Sequence, residues 1–405
     1  MSLVDRTISI IFEGDDQTAK TFKAVNARLN TLSFTVEEAA QPFGRLADLV
    51  LDADKALAAL AGAGLTFAYK KSVDHEGALV VLNKVLDENT ESLDAAKDKA
   101  LEFSDRYGRS FEDIIDQMTV FRQAGFDLED SILLVEDALN LMTAGDVEAA
   151  QASEILVRSL KGLGEEAEFA GEIVQTLNWV SNNFATDVPK LGEALARSAP
   201  LAKTFGLTMQ ETAGILTPII ETFQDAEMAS TAFKTAMARM KDSTAQVVGA
   251  FEQLGFSQEY ILNRQMMSTK EILFDVSDRF TTLDANMQGV VASALFGKEH
   301  FAKMSTVLAN MGTVARIAGA DVTEMAAALE KELETRLASS EQQIQRLVNN
   351  LNNLAAAIGD RFKAAATDSI GGLADIEDAI RKSVEAGDFD PVFRVLSDAL
   401  DKLGR

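Results

Sequence analysis

The sequence contains no cysteine. That excludes a disulfide framework, a thiol nucleophile and a cysteine-ligated metal cluster, and it leaves the redox compartment open. Histidine occurs only as His75 and His300, far apart and each without a second histidine nearby. The sequence therefore offers neither a histidine metal site nor a serine-type triad, and both residues read as surface or helix-flank positions. No Gly-Lys-Ser/Thr occurs, and Gly62-Ala63-Gly64 lacks the third glycine and the preceding strand of a dinucleotide loop. No cofactor is expected.

Long apolar runs are also missing. The most membrane-like stretch, Ala56 to Tyr69, is about 14 residues, short of the roughly 20 that span a bilayer. It reads as a small-residue helix packed closely against neighbours, with an interfacial membrane role as the alternative. Met1 to Gly14 shows no basic region followed by an apolar core and cleavage site, so it is not a secretion signal. Basic residues are the scarce charge: 38 against 63 acidic ones, a net charge of −25, which repels nucleic acid and anionic membrane. Acidic pairs such as Glu165-Glu166 follow from that excess and read as solvated faces rather than acid/base catalysts.

Proline occupies five positions, tyrosine three and tryptophan one, Trp179, while helix formers dominate. This composition predicts an all-α protein, and 47 % apolar residues suffice for a buried core. Residues 1–16 are the exception. The alternation Ile8, Ile10, Phe12 before Glu13-Gly14-Asp15-Asp16 predicts one short strand and a polar turn.

One turn signature occurs three times, at Gly125-Phe126-Asp127, Gly206-Leu207-Thr208 and Gly255-Phe256-Ser257. In each, a glycine suited to the left-handed position ends one helix, an apolar residue staples the turn, and Asp, Thr or Ser caps the next helix. Thr208 with Glu211, and Asp127 with Asp130, have capping-box spacing or a near variant of it. The turns at Gly125 and Gly206 both lead into a second helix, with Leu156, Leu160 and Leu163 in one copy and Phe233, Met237 and Met240 in the other. The match needs one or two residues of slippage, compatible with two related helical hairpins but too loose to establish duplication.

Such turns also occur in proteins that read DNA, and charge argues against that here. No Lys or Arg lies between Arg122 and Arg158, or between Lys203 and Lys234. Sequence-specific nucleic-acid binding is not expected. Pro218 reads as a kink in a buried helix.

Residues 17–107 read as long amphipathic helices and 108–325 as a compact helical domain. Over 326–365 the pattern changes: Leu333, Leu337, Ser340, Ile344, Leu347, Leu351, Leu354 and Ile358 alternate steps of four and three, the 3.5-residue period of a coiled-coil seam. Asn349, Asn350, Asn352 and Asn353 flank it with uncharged polar surface. The seam predicts a homo-oligomer; the alternative is an amphipathic helix packed back onto its own domain. Gly371-Gly372 then precedes two short helices in 366–405.

Taken in order, these features resemble the N-terminal part of phage tail tape measure proteins. The residues that carry the resemblance are Ile8 to Asp16, Tyr107 to Ile115, Phe121 to Asp130, Val188 to Leu195, Ala202 to Ala213 and Ala294 to Glu299. The resemblance implies a non-enzymatic structural protein that occupies the tail tube lumen in several copies and sets tail length. It also implies contact with the tail tube protein, tail tip proteins and tail assembly chaperones, with the host cytoplasm as the place of assembly and the tail lumen as the destination. Members of that family are usually much longer and commonly carry strongly apolar segments or a wall hydrolase. The chain is therefore expected to be a fragment or a short member, or else to leave membrane penetration and wall cleavage to other proteins. A generic helical scaffold or coiled-coil effector is the alternative reading.

Overall fold

The computed structural model describes residues 53–87 and 91–370. The strand and turn expected over 1–16 and the terminal helices after Gly371 lie outside them. The fold is all-α, and among the described residues every regular element is a helix.

In chain order the helices are α1 (Ala53–Asn83), α2 (Leu93–Tyr107), α3 (Phe111–Gln123), α4 (Leu128–Gly145), α5 (Ala149–Leu163) and α6 (Ala170–Asn183). Next come α7 (Val188–Thr204), α8 (Met209–Phe223), α9 (Ala226–Met240), α10 (Ala245–Gln253), α11 (Gln258–Asn263) and α12 (Thr269–Phe280). The chain continues with α13 (Ala285–Phe296), α14 (Phe301–Ala309), α15 (Met311–Ala318), α16 (Val322–Leu337) and α17 (Ser340–Ile370). Two units divide the chain, one of residues 70–359 and one of residues 1–69 with 360–405. Of the second, the structure describes the start of α1 and the end of α17.

Local chemistry sets the helix boundaries. Ser92, Ser110, Asp127, Asp187, Thr208, Asp225, Ser257, Ser268, Asp284 and Asp321 each accept a hydrogen bond from a backbone N–H of the first turn that follows. Each such cap satisfies a donor that the helix cannot, worth about 1 kcal/mol. α4–α5 and α8–α9 are antiparallel-type hairpins closed by left-handed residues that are not glycine, Asp146 at φ 52 and Gln224 at φ 55. The first linker, 146–148, is one residue longer than the second, 224–225, and α4 with 18 residues is three longer than α8 with 15, so the two copies differ in length mainly within their first helix.

The core of the 70–359 unit runs through all these layers. α5 and α7 approach most closely where a Cβ on Gly192 would lie 2.7 Å from Ile155 Cδ1, and one on Gly162 would lie 2.7 Å from Ala199 Cβ. Pro218 sits buried inside α8, whereas Pro200 inside α7 is exposed. Arg264 is buried too, and its guanidinium lies over the Phe251 ring while donating to the carbonyls of Met240, Asp242 and Ile261. It ties the α10–α11 corner to the end of α9.

Two expectations change. His75 is not on the surface: it is buried and stacked on Phe111 with centroids 4.1 Å apart, which draws part of α1 into the unit that starts at residue 70. The single helix expected over 326–365 is two helices, α16 and α17, interrupted at Ala338 and Ser339. Ser339 Oγ accepts from Gln342 N, a side-chain cap that competes with helix continuation.

Candidate functional site

Catalytic chemistry finds little to work with among the described residues. No group of three or more His, Cys, Asp or Glu is placed to hold a metal ion there, and no helix is long and apolar enough to cross a membrane. His300 stands at the N-terminus of α14, its pKa lowered by desolvation and by Lys303. Burial, with help from Glu136, raises the Asp137 carboxyl to about 7. Burial first, and then Glu136, also holds the Tyr107 phenol above its ordinary value. Tyr107 Oη donates to Asn140 Oδ1 at 2.9 Å, so the raised groups belong to a polar contact between α2 and α4.

The turn residues are structural in position. Gly125, Gly206 and Gly255 have φ of 92°, 67° and 75°. Asp127 accepts from Asp130 N, Thr208 closes a reciprocal capping box with Glu211, and Ser257 accepts from Tyr260 N. They fix the helix starts.

The seam residues part company at the 338–339 break. Leu333 and Leu337, on α16, pack against the core together with buried Met325 and Leu329. Arg336 fastens the end of α16 to Asp146 at 2.9 Å and is steadied by Glu332 one turn back on its own helix at 3.4 Å. On α17, Ile344, Leu347, Leu351 and Leu354 are 40 to 57 % exposed, and Val348 beside them is exposed as well. The side chain of Ile358 lies outside the described residues.

What α17 turns toward the domain is its other face. Gln342, Arg346, Asn349, Asn353 and Ala356 also step by four and three, and they are the half-buried and buried residues of the helix's other face. Gln342 Nε2 donates to Tyr107 O at 2.9 Å, Arg346 Nε to Asp105 O at 2.6 Å, and Asn353 Nδ2 to Ser104 Oγ at 2.9 Å. Asn350, with its amide turned to donate, reaches Asp105 Oδ1 at 2.6 Å. The helices approach so closely at Gly108, in the left-handed region at φ +64, that a Cβ there would lie 3.1 Å from Arg346 N. Asn349 and Asn353 thus belong to the docked face, and Asn350 at its exposed edge bonds to Asp105, instead of all flanking the seam as free surface.

That contact is weak by its own chemistry. A net hydrogen bond contributes about 0.5–1.5 kcal/mol, whereas full burial of one Leu or Ile contributes about 1.5–3 kcal/mol. Asn349 Nδ2 is buried without a partner, which costs about 1–3 kcal/mol. A polar cleft of about 280 Å³, lined by Arg109, Asp113, Gln345 and Asn349 among others, remains between α17 and the α2–α3 turn. The helix presents its apolar rows to solvent and spends its polar ones on the domain. The seam's surroundings carry little charge: between Glu341 and Asp360 the one charged residue is Arg346, already engaged with Asp105 O.

Comparison with known proteins agrees with the resemblance read from the sequence. Residues 97–297 match the family described as phage-related minor tail protein. The chain is 24 % identical over 258 residues to a probable tape measure protein of Halomonas phage phiHAP-1, covering 61 % of this chain and 30 % of that one. It is 22 % identical over 261 residues to the tape measure protein of Pneumococcus phage Dp-1, covering 61 % and 22 %. Against the probable tape measure protein of Escherichia phage P2 the identity is 20 % over 207 residues, covering 51 % and 25 %. The matched part of the chain therefore spans less than a third of the length of these curated relatives. No solved structure matches it. The chain is thus similar to phage tail tape measure proteins over 51 to 61 % of its length.

Proposed function

From that relationship we propose that this chain does the work of a tape measure, lying in the lumen of a phage tail tube and setting its length during assembly. The observation that carries the reading is the relation to tape measure proteins of three phages over half or more of this chain. Helical structure suits the task, because a helix has a fixed rise of about 1.5 Å per residue and so converts residue number into length. All 405 residues as one helical rod would span about 600 Å. The folded 70–359 unit is far shorter than its contour, so a ruler role requires its helices to be drawn out in the tube.

Copies pair through the exposed face of α17, where Ile344, Leu347, Leu351 and Leu354 find a like surface with almost no charge to repel it. In a chain of net charge −25 this is a surface on which two copies approach without strong repulsion. The expected partners are a second copy, the tail tube protein, the tail tip proteins and assembly chaperones that cover apolar surface in the host cytoplasm. The acidic exterior keeps the chain from holding the DNA that later shares the channel. The role is non-enzymatic.

A phage carrying a stop codon early in the gene for this chain tests the proposal. Absent tails, or tubes of uncontrolled length, restored by the chain supplied in trans, support it. Normal tails contradict it.

A further inference from the structure

We propose that the polar face of α17 is a releasable latch that holds the helix on the α2 end of the domain, and that release swings the helix clear of the domain so that its already exposed seam pairs more readily; the pairing half of this rests on the self-association proposed above. Three features of the contact point to release. Its joining groups are hydrogen bonds from Gln342, Arg346, Asn350 and Asn353 to groups at the end of α2, all of which water can replace. One buried donor, Asn349 Nδ2, goes unpaired, and a polar cleft borders it. The apolar residues that would make a permanent contact face away.

A hinge stands at the right place. α16 is fixed by Met325, Leu329 and the Arg336–Asp146 pair, while the break after it consists of two residues. Ala338 has φ −81 and ψ −7, still right-handed, so closing the break turns on Ser339, the side-chain cap of α17, and needs no glycine. The steps of four and three run through the break without a skip, from Leu333 and Leu337 to Ser340 and Ile344. A released α17 can therefore continue α16 as one helix with the seam in register. The docked face repeats at the same spacing, so one helix carries two contact faces, the domain on one side and another copy on the other.

The absence of cysteine lets two spin labels be placed cleanly, at Glu102→Cys on α2 and Ala357→Cys on α17, both exposed. The latch pairs residues 342, 346 and 353 with 107, 105 and 104, so these labels lie near each other while it is closed. Distances are recorded on the full chain in a Leu347→Asp plus Leu351→Asp background, where the seam cannot pair. The labelled chain is expected to give mainly a short distance, and Gln342→Ala with Arg346→Ala and Asn353→Ala to move most of the population to a longer one. Gly108→Ala is expected to do the same, whereas Gly206→Ala, of nearly equal φ but with open space around its Cβ, leaves the short distance in place. A short distance retained in both the triple variant and Gly108→Ala overturns the latch. With the natural seam restored, the triple variant is expected to associate at a concentration at least tenfold lower. A longer distance with unchanged association among chains that do associate overturns the restraint. A longer distance with no association in any chain leaves the latch standing and overturns the self-association reading instead.

Discussion

Asn353 donates its side-chain amide to Ser104 Oγ at 2.9 Å across 249 positions of sequence, while its immediate neighbour Leu354 is 57 % exposed. One residue of α17 is spent on the domain and the next is left for something else. That division is what a protein with a detachable pairing helix needs, and four predictions follow the same physical reasoning elsewhere in the unit.

Leu347→Asp combined with Leu351→Asp is expected to leave the fold nearly unchanged, within about 0.5 kcal/mol per site, because both residues are already exposed. Its solution mass is expected to fall by comparison with the parent chain. Light scattering with thermal denaturation reads both, and an unchanged mass counts against pairing through the seam.

Asp137 makes stability depend on pH. Its carboxyl is raised from 3.8 to about 7, so the folded state binds the proton more tightly than the unfolded one. Its contribution is favourable at low pH and is lost as pH rises from about 4 to about 7, with a ceiling of about 4 kcal/mol. Denaturant titrations are expected to show Asp137→Asn more stable than the parent at pH 8 and losing that advantage toward pH 4. Parallel curves would remove Asp137 as the cause.

Glycine substitutions separate packing from chain entropy. Gly192→Ala pushes a Cβ into Ile155 at the α5–α7 crossing and is expected to cost about 1–3 kcal/mol. Gly249→Ala, inside α10 with open space around it, is expected to stabilise by about 0.4–1 kcal/mol. Melting temperatures moving in opposite directions confirm the crossing; equal shifts contradict it.

Arg264→Lys keeps the charge but loses the planar fork that reaches three carbonyls and covers Phe251. A loss of about 2–4 kcal/mol in denaturant unfolding is expected. A neutral result would mean that the α9–α11 corner is held by Phe251 and its neighbours alone.

Much of this was legible in sequence because the helix punctuation is local. Asp127, Thr208 and Ser257 cap helices through bonds three residues long, and the 3.6-residue spacing of Leu156, Leu160 and Leu163 marks a buried face. The seam was legible as a period but not as an orientation, since orientation depends on Ser104, Asp105 and Tyr107, more than 200 positions away. A signal existed all the same: Gln342, Arg346, Asn349, Asn353 and Ala356 repeat at the seam's own spacing on the opposite face. His75 was misplaced for a similar reason, because its cover, Phe111, belongs to another helix. Arg264 carried no signal, since a lone arginine in a polar stretch reads as surface until three carbonyls converge on it.

The central claim is that helical residues of this chain are counted out as tail length. Electron microscopy of phage carrying an in-frame deletion of Ile344 to Ala364, three heptads within α17, tests it most directly. The account predicts intact tails shorter by about 30 Å, the helical rise of the deleted segment. Intact tails of unchanged length would contradict it.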